Sequence, residues 1–576
     1  MRYITVTGKT SPYEVTLTSK NEPFAVDEYL TINDQINNNP ICRVVSSETI
    51  KEDGALRFFA IAKIETPVRY PIESGASAKT PTFDSLKRLV MKTEPADGLV
   101  LGEVAGTSFG DIPQNYQDLI SMYDGQAFYK QTAIPFVFNY RKLYESPHIG
   151  LFGGSGSGKT VAMKVVLEEI MKKGIPGIIL DPHLEMNFSA NDQRVPAKHQ
   201  YNFSPCVETF CVGKNHFAIN FADLTTDQLI RIMSFSGELS GPMDALLRTL
   251  HKSGSTLFEL RDLLDKLIEL MNKLEQGYEL DSNDMLLNKN YLSKVPSFNT
   301  LIALSWRLNA LENSGVFDGD ESPLVTALKN RKMCVLRGSM EQIHVVASHI
   351  IEKIYQMRRD YIDSRESGMD AEPFPPFFVG MDEAHIFCPN NTAFSLTKKT
   401  LRTIAQEGRK YGVFELLATQ RPSLLDETVV AQMANKLIFR LSIKEDLESI
   451  KKETDLSDAE IKKLPYMQSG DCYVSSAIVG RTTFVKMRYG TTVAKNIVNP
   501  FDEIASVNKP LTDEENAILE CLPFNDLKKI DVIKMVSDKV GHEVPVPRFN
   551  ALCDNLAAKS LLKIENTFMG NVYRPA

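Results

Sequence analysis

The chain has 576 residues, 43% hydrophobic and 24% charged, with a formal net charge of -8. That apolar content fills large cores over roughly three or four domains, and excludes a disordered polymer, a collagen-like repeat and a disulfide-stapled miniprotein. The modest acidity excludes only a protein that is basic all over, since a nucleic-acid channel can be basic locally.

The opening MRYITVTGKT lacks the apolar stretch of a signal peptide. No run approaches the ~18 apolar residues of a membrane span. The eight cysteines include no CxxC pair, and Cys206 and Cys211 have no zinc-ligand spacing around them. They read as scattered buried thiols of a reduced, cytoplasmic protein without membrane attachment.

Residues 1–140 read as short strands and turns. Tyr3–Thr7 and Arg57–Ile61 are β-rich, and Gly102, Gly106 and Gly110 punctuate the later part. This texture predicts a small barrel or sandwich, an assembly or docking domain without chemistry of its own. Near Ser146 the pattern changes. An apolar strand, His148–Phe152, runs into glycines, helical periodicity covers Val161–Lys173, and a second strand, Gly177–Leu180, ends at Asp181-Pro182. Strand, glycine loop, helix, strand is a βαβ unit and predicts a parallel sheet.

From about Asp223 to Pro323 the chain turns helical, with leucines at 260, 263, 264, 267, 270 and 274 forming a one-face packing stripe. This predicts a helical insertion, at about 223–325, into the sheet domain. Sheet signals return at Met333–Leu336, Phe377–Met381, Phe414–Ala418 and Leu437–Leu441, and Asn499-Pro500 marks a boundary. Three helices follow, at Thr512–Cys521, Asp531–Val540 and Pro547–Leu562, and then a hairpin. That order resembles a winged helix, yet eight Lys/Arg against ten Asp/Glu over 511–576 suit a packing or partner-contact module better than a DNA reader. The predicted division is thus 1–140, 141–500 and 501–576.

The strongest local signal is Gly153-Gly154-Ser155-Gly156-Ser157-Gly158-Lys159-Thr160, which fits GxxxxGK[ST] between a strand and a helix. Glycines let the backbone N–H groups wrap the phosphates, the Lys159 ammonium reaches the β/γ oxygens, and the Thr160 hydroxyl binds Mg²⁺. The positive end of the following helix faces the same anion. The ligand implied is ATP with Mg²⁺. A second apolar strand ends in Asp382-Glu383-Ala384-His385. Asp382 is expected to hold Mg²⁺ through its water shell and Glu383 to orient and polarise the attacking water. A third strand ends at Gln420, in ATQRPS, where a polar tip can sense the γ-phosphate.

Hydrolysis at such sites gains ~10³–10⁵ from an arginine placed on the transition-state charge, often from a neighbouring subunit. Arg409, in QEGRKYG, is the first candidate and Arg440, after the next strand, the second. For each the alternative is a surface arginine in a basic cluster. Candidate DNA contacts are the segment 191–200, with Arg194, Lys198 and His199, and the group Lys398, Lys399 and Arg402. Phosphate-gripping lysines and arginines on loops would suit a sequence-independent translocase, and a solvated face is the alternative for each.

Taken in order, GGSGSGKT, LDPH (180–183), VGMDEAH, EGRKYG and ATQRPS resemble the HerA family, hexameric ATPases of the HerA/FtsK group. The resemblance covers about 141–500. It implies a RecA-like core preceded by a small β-barrel, a homo-hexamer with ATP sites between subunits, and translocation of double-stranded DNA. It also implies an effector partner, a NurA-like or other nuclease or a sirtuin-like NAD-consuming subunit, in DNA end processing or antiphage defence. The docking surface is expected on the N-terminal domain, so that removing 1–120 abolishes partner binding and spares ATP binding. By motif position Arg409 acts in trans and Asp181 lies at the active-site end of its strand. Relatives often carry a basic residue before the histidine of the P-loop strand, where this chain has Pro147, which leaves Arg141 as a further candidate.

Three other readings stand beside this one. The DEAH tetrapeptide suggests a two-lobed helicase, but too little chain follows Gly490 for a second lobe. A ring scaffold could use nucleotide only to assemble and activate its partner. A membrane-recruited pump of the FtsK or type IV secretion kind is the third.

Overall fold

A computed structural model describes residues 3–52, 55–108, 112–214, 217–317, 319–390, 395–493, 511–559, 561–567 and 570–575. Gly110, Asn499 and Pro500 lie outside the described residues. The chain forms two compact units, Met1–Lys495 and Asn496–Ala576.

Six antiparallel strands, β1 (Ile4–Thr7), β2 (Glu14–Ser19), β3 (Tyr29–Ile32), β4 (Ile41–Glu52), β5 (Ala55–Ile64) and β6 (Ser77–Lys79), close a barrel in the order β1-β2-β5-β4-β3-β6. Alternation drives it: in β2, Val15 and Leu17 are buried while Thr16 and Thr18 stay at the surface. Closure removes the unpaired sheet edges that so small a domain would otherwise expose.

The barrel ends at Lys79, well short of residue 140. After α1 (Phe83–Val90), β7 (Leu99–Val104) enters the central sheet, a small hairpin of β8 (Ser121–Tyr123) and β9 (Phe128–Lys130) stands apart, and β10 (Pro135–Phe138) pairs antiparallel with β7. The sequence grouped these strands with the barrel because short β runs carry no mark of the sheet they join. Removing 1–120 would therefore also strip β7 from the central sheet.

That sheet is built on β11 (Ile149–Phe152), α2 (Lys159–Lys172), β12 (Gly177–Leu180) and β13 (Val207–Cys211). Six helices follow: α3 (Thr226–Met233), α4 (Gly241–Leu250), α5 (Leu257–Glu275), α6 (Ser282–Asn290), α7 (Phe298–Asn313) and α8 (Ser322–Lys329). They form the expected insertion, a long crossover between the paired parallel strands β13 and β14 (Met333–Arg337). The stripe on α5 buries Leu260, Leu264, Leu267 and Leu270 in the sheet's own core, and Leu274 is left exposed as the helix ends.

The fold then runs through α9 (Met340–Glu366), β15 (Phe377–Met381), α10 (Ala384–Phe387), α11 (Lys398–Tyr411), β16 (Val413–Thr419), α12 (Glu427–Gln432) and β17 (Asn435–Ile438). It closes with α13 (Lys444–Glu453), α14 (Asp458–Lys463), β18 (Asp471–Ser476) and β19 (Arg481–Met487). Among the described residues the sheet has eleven strands, ordered β10-β7-β19-β18-β17-β11-β16-β15-β12-β14-β13. The seven from β17 to β13 are parallel, and β18, β19, β7 and β10 extend them antiparallel. Strands such as FFVGM are buried throughout, as a parallel sheet covered on both faces requires. One order matters most for function: β16 lies between the P-loop strand β11 and the acidic strand β15.

The second unit contains α15 (Asp513–Glu520), β20 (Phe524–Asn525), α16 (Lys529–Val540), α17 (Val546–Ala558), β21 (Leu562–Thr567) and β22 (Gly570–Pro575), its sheet ordered β20-β22-β21. Helix, strand, two helices and a hairpin is a winged-helix order. Two of its basic groups are engaged within it: Arg548 on α17 holds Glu514 at 2.7 Å and Lys559 holds Glu515 at 2.9 Å.

All eight cysteines are free thiols, five of them buried. No helix among the described residues is long and apolar enough to cross a membrane.

Candidate active site

Ligands of open parallel sheets bind beyond the carboxyl ends of the strands, and here three neighbouring ends carry the polar residues singled out in the sequence. β11 ends in the glycine loop. Its tight path excludes side chains at two points: a Cβ on Gly153 would meet Phe439 Cβ at 2.6 Å, and one on Gly158 would meet the Gly470 nitrogen at 2.7 Å. Gly156 and Gly158 also need positive φ, 67° and 92°. Among the described residues the N–H groups of Ser155, Gly156 and Gly158 have no protein acceptor, so they remain for an anion.

β15 ends in Asp382 and Glu383. Lys159, buried at the first turn of α2, pairs with Asp382 and lies 3.6 Å from Glu383. Thr160 donates its hydroxyl to Asp382 at 2.9 Å. The Thr160 hydroxyl and the Asp382 carboxylate are adjacent hard oxygen donors, the set that Mg²⁺ takes when substrate phosphates and water complete its shell. These two residues fit the ion. No cluster of three or more His, Cys, Asp or Glu ligands occurs among the described residues.

Glu383 sits at φ 50°, ψ 46°, a left-handed conformation uncommon outside glycine. Its carboxylate is held by Gln420 at the tip of β16, which donates its side-chain amide at 2.5 Å and its backbone N–H at 3.2 Å. His385 closes the ring, with Nδ1 2.9 Å from the Thr419 hydroxyl and 3.4 Å from Glu383. Burial lowers its pKa, and the nearby Glu383 opposes that.

The two arginine candidates separate cleanly. Arg440 lies on its own P-loop, donating to the Ser155 and Gly156 carbonyls at 3.4 and 3.2 Å. Arg409, at the last turn of α11, donates to the Glu145 carbonyl at 3.1 Å. Glu145 precedes β11, whereas the P-loop follows it, so Arg409 is at the opposite end of the strands, at least ~13 Å from its own phosphate loop.

Asp181 pairs with Arg337 at 2.9 Å and accepts from the Glu185 N–H at 2.8 Å, which makes it a fastening of the loop after β12. The proposed DNA contacts are mostly engaged within the chain. Arg194 is clamped by Asp192 and Tyr489, and Lys198 and His199 face Asp118. Lys398 turns inward onto the Pro389 carbonyl and Asp426, and Arg402 bonds the Thr428 hydroxyl, while Lys399 is exposed. One contributor was missed in the sequence. Asp446, fully buried, accepts from Arg421 and Ser423 and so fixes the turn after Gln420. It lies in an ordinary charged helix, where no motif marks it.

Residues 125–354 match the family described as "Helicase HerA, central domain". The chain is 25% identical over 349 residues to the DNA double-strand break repair helicase HerA of Saccharolobus solfataricus, covering 59% of this chain and 64% of that one. It is 25% identical over 344 residues to the HerA of Pyrococcus furiosus, covering 54% and 59%. The chain therefore spans less than two thirds of the length of these curated relatives. Among solved structures, the plasmid coupling protein TrwB in complex with a non-hydrolysable ATP analogue is 13% identical, with 69% of this chain and 98% of that one covered, at a TM-score of 0.41.

Proposed function

We propose that this chain, which carries the HerA helicase central domain, is an ATP-hydrolysing motor that assembles as a ring and moves double-stranded DNA. The observation that carries the reading is the convergence of Lys159, Thr160, Asp382, Glu383 and Gln420 on three adjacent strand ends. ATP phosphates would take the loop N–H groups and draw Lys159 off Asp382, leaving Asp382 and Thr160 to hold Mg²⁺. When bound there, the ion would supply neutralisation of the phosphate charge. Glu383 accepts the proton as water oxygen bonds to the γ-phosphorus, and the bond from that phosphorus to the ADP oxygen breaks. Gln420 touches the base directly, so its strand can register whether the γ-phosphate is present.

Arg409 supports the ring. It lies at the wrong end of its own sheet to reach its own site, yet it is exposed for a neighbour's. An assembly with sites between subunits uses it in trans, and a hexamer is the size the family resemblance implies. Work on DNA agrees with the names of the HerA relatives. The barrel is the surface offered to an effector, such as a nuclease or an NAD-consuming subunit, since the chain has no second catalytic cluster among its described residues.

The test is the ATPase rate of the purified chain with and without linear duplex DNA. Stimulation that disappears in Glu383→Gln supports the motor. Hydrolysis indifferent to DNA would replace it with the ring scaffold that activates a partner.

A further inference from the structure

The amino ends of the central strands, opposite the phosphate loop, carry a second concavity. Pro176 lies just before β12, Arg331 two residues before β14 and Pro376 just before β15. Among them is a cavity of about 520 Å³, within the range of about 300–1,000 Å³ typical of small-ligand sites. The length of β15 separates it from Asp382, at least ~13 Å.

Five cations line this cavity, from four places in the chain. Lys173 comes from just past α2, Lys329 from the end of α8, Arg331 from the turn that follows, and Arg358 and Arg365 from α9. No carboxylate lines it among the described residues. Helix C-termini favour a nearby cation, which accounts for Lys173, Lys329 and Arg365 singly but not for their convergence.

Part of this charge is used locally. Lys173 donates to the Ala96 carbonyl at 2.7 Å, and Lys329 pairs with the exposed Glu372. Arg358 is a brace, donating to the Tyr411 carbonyl at 2.6 Å and to the Phe374 carbonyl, so that α9 holds the proline-rich wall 373–376. Burial lowers the Arg358 pKa, Tyr361 opposes that, and the neighbouring Arg365 lowers it further. Arg331 and Arg365 are exposed, and neither side chain has a partner among the described residues. Arg331 is also held at φ 59°, a left-handed conformation uncommon for a long side chain. Like charges around one concavity repel, and a counter-charge between them would relieve it.

We propose that this cavity binds a compact, multiply charged phosphate compound, a nucleoside polyphosphate or inorganic polyphosphate, at a site separate from the phosphate loop. Guanidinium groups suit phosphate because their planar forks bond two oxygens at once. A small ligand is favoured over duplex DNA because the cations surround a hollow instead of following a face, as an extended backbone would require. α2 runs from the phosphate loop at its first turn to this cavity at its last.

The probe is inorganic tripolyphosphate, titrated by calorimetry into full-length Lys159→Ala protein, in which the phosphate loop is disabled. One binding event is expected to remain. Adding Arg331→Gly removes a charge at a backbone position that glycine accepts, and it should weaken that event about tenfold or more, as should Arg365→Ala. Arg365→Lys should recover part of the loss, and Lys9→Ala on the barrel should change nothing. Absence of the event, or an event that neither arginine variant alters, would overturn the site. So would an equal loss in Lys9→Ala, which would mark diffuse attraction to surface charge. Displacement of the probe by a short DNA duplex would overturn the compact ligand and give the surface to nucleic acid. The phosphate-loop reading fails separately, through ATP binding alike to the parent and to Lys159→Ala.

Discussion

Gln420 and Glu383 are joined twice, by the side-chain amide at 2.5 Å and the backbone N–H at 3.2 Å. Strand β16 therefore holds the carboxylate that strand β15 carries, and it does so from a position between that carboxylate and the phosphate loop. Because both contacts go to the carboxylate, the orientation of Glu383 depends on where Gln420 stands.

Replacing Glu383 with Gln should lower the hydrolysis rate by about 10²–10⁴, the usual contribution of a general base, while ATP still binds. Gln420→Ala should lower kcat by about tenfold and leave KM nearly unchanged, since it frees the base without touching the phosphate loop. Steady-state kinetics on both variants check this; a Gln420→Ala defect confined to KM would overturn it.

Arg409 predicts complementation. Arg409→Ala and Lys159→Ala should each be inactive alone. Mixed rings contain interfaces that pair an intact Lys159 site with an intact Arg409, so mixing the two proteins should restore a measurable ATPase. Mixtures that stay as inactive as their components would argue against action in trans.

Glu415 lies fully buried in the middle of β16, with neither carboxylate oxygen hydrogen-bonded among the described residues. Burial pushes its pKa well above the ordinary range. Below the unfolded carboxyl's pKa both states are protonated and nothing is lost. As pH rises above it the unfolded chain ionises while the folded one cannot, so stability falls with rising pH. Glu415→Met should raise stability by about 1–3 kcal/mol at pH 8 and by little near pH 4.5, as read by denaturant titration. A loss at pH 8 would assign Glu415 a need for its carboxyl.

His148 works with the opposite sign. Its Nδ1 accepts the Glu415 N–H and its Nε2 donates to the Ala405 carbonyl, both at 2.9 Å, which fixes the neutral ring in one tautomer. Burial lowers its pKa to about 4, and burial alone does the same for His344. The stability these rings contribute is complete above the unfolded value of 6.5 and is lost as pH falls toward 4. Each adds a slope approaching about 1.4 kcal/mol per pH unit inside that window. His148→Asn should flatten part of that slope; an unchanged profile would mean the ring is not buried neutral.

Much of this was legible in the sequence because the chemistry is local. A parallel strand buried on both faces reads as an unbroken apolar run, so β11, β12, β14 and β15 stood out, and each motif hung on the end of a strand. The glycine loop, Asp382, Glu383 and Gln420 all came from that rule. What stayed hidden depends on pairing between distant segments. β7 and β10 look like barrel strands until their partners are known. Lys398 reads as a free surface cation until Asp426, well beyond it in sequence, turns it inward. Asp446 carries no motif, because it acts by position alone.

The barrel's fastening to the rest of its unit has a consequence for how such a protein can vary. Arg43 has no exposed surface, and its guanidinium bonds Asp27 at 2.9 Å and Glu65 at 3.0 Å within the barrel and Glu460 of α14 at 2.5 Å. Lys463 returns from α14 to Asp27, and Arg481 from β19 to Glu65. Removing one member strands buried charge: Arg43→Met alone should cost about 3–5 kcal/mol. A graft that brings in a foreign barrel would meet the same penalty unless it carried its own α14 and β19 with it. Barrel and sheet domain are therefore heritable as a matched pair, and a hybrid assembled at the apparent boundary near Lys79 should be insoluble where one that also exchanges 455–487 folds.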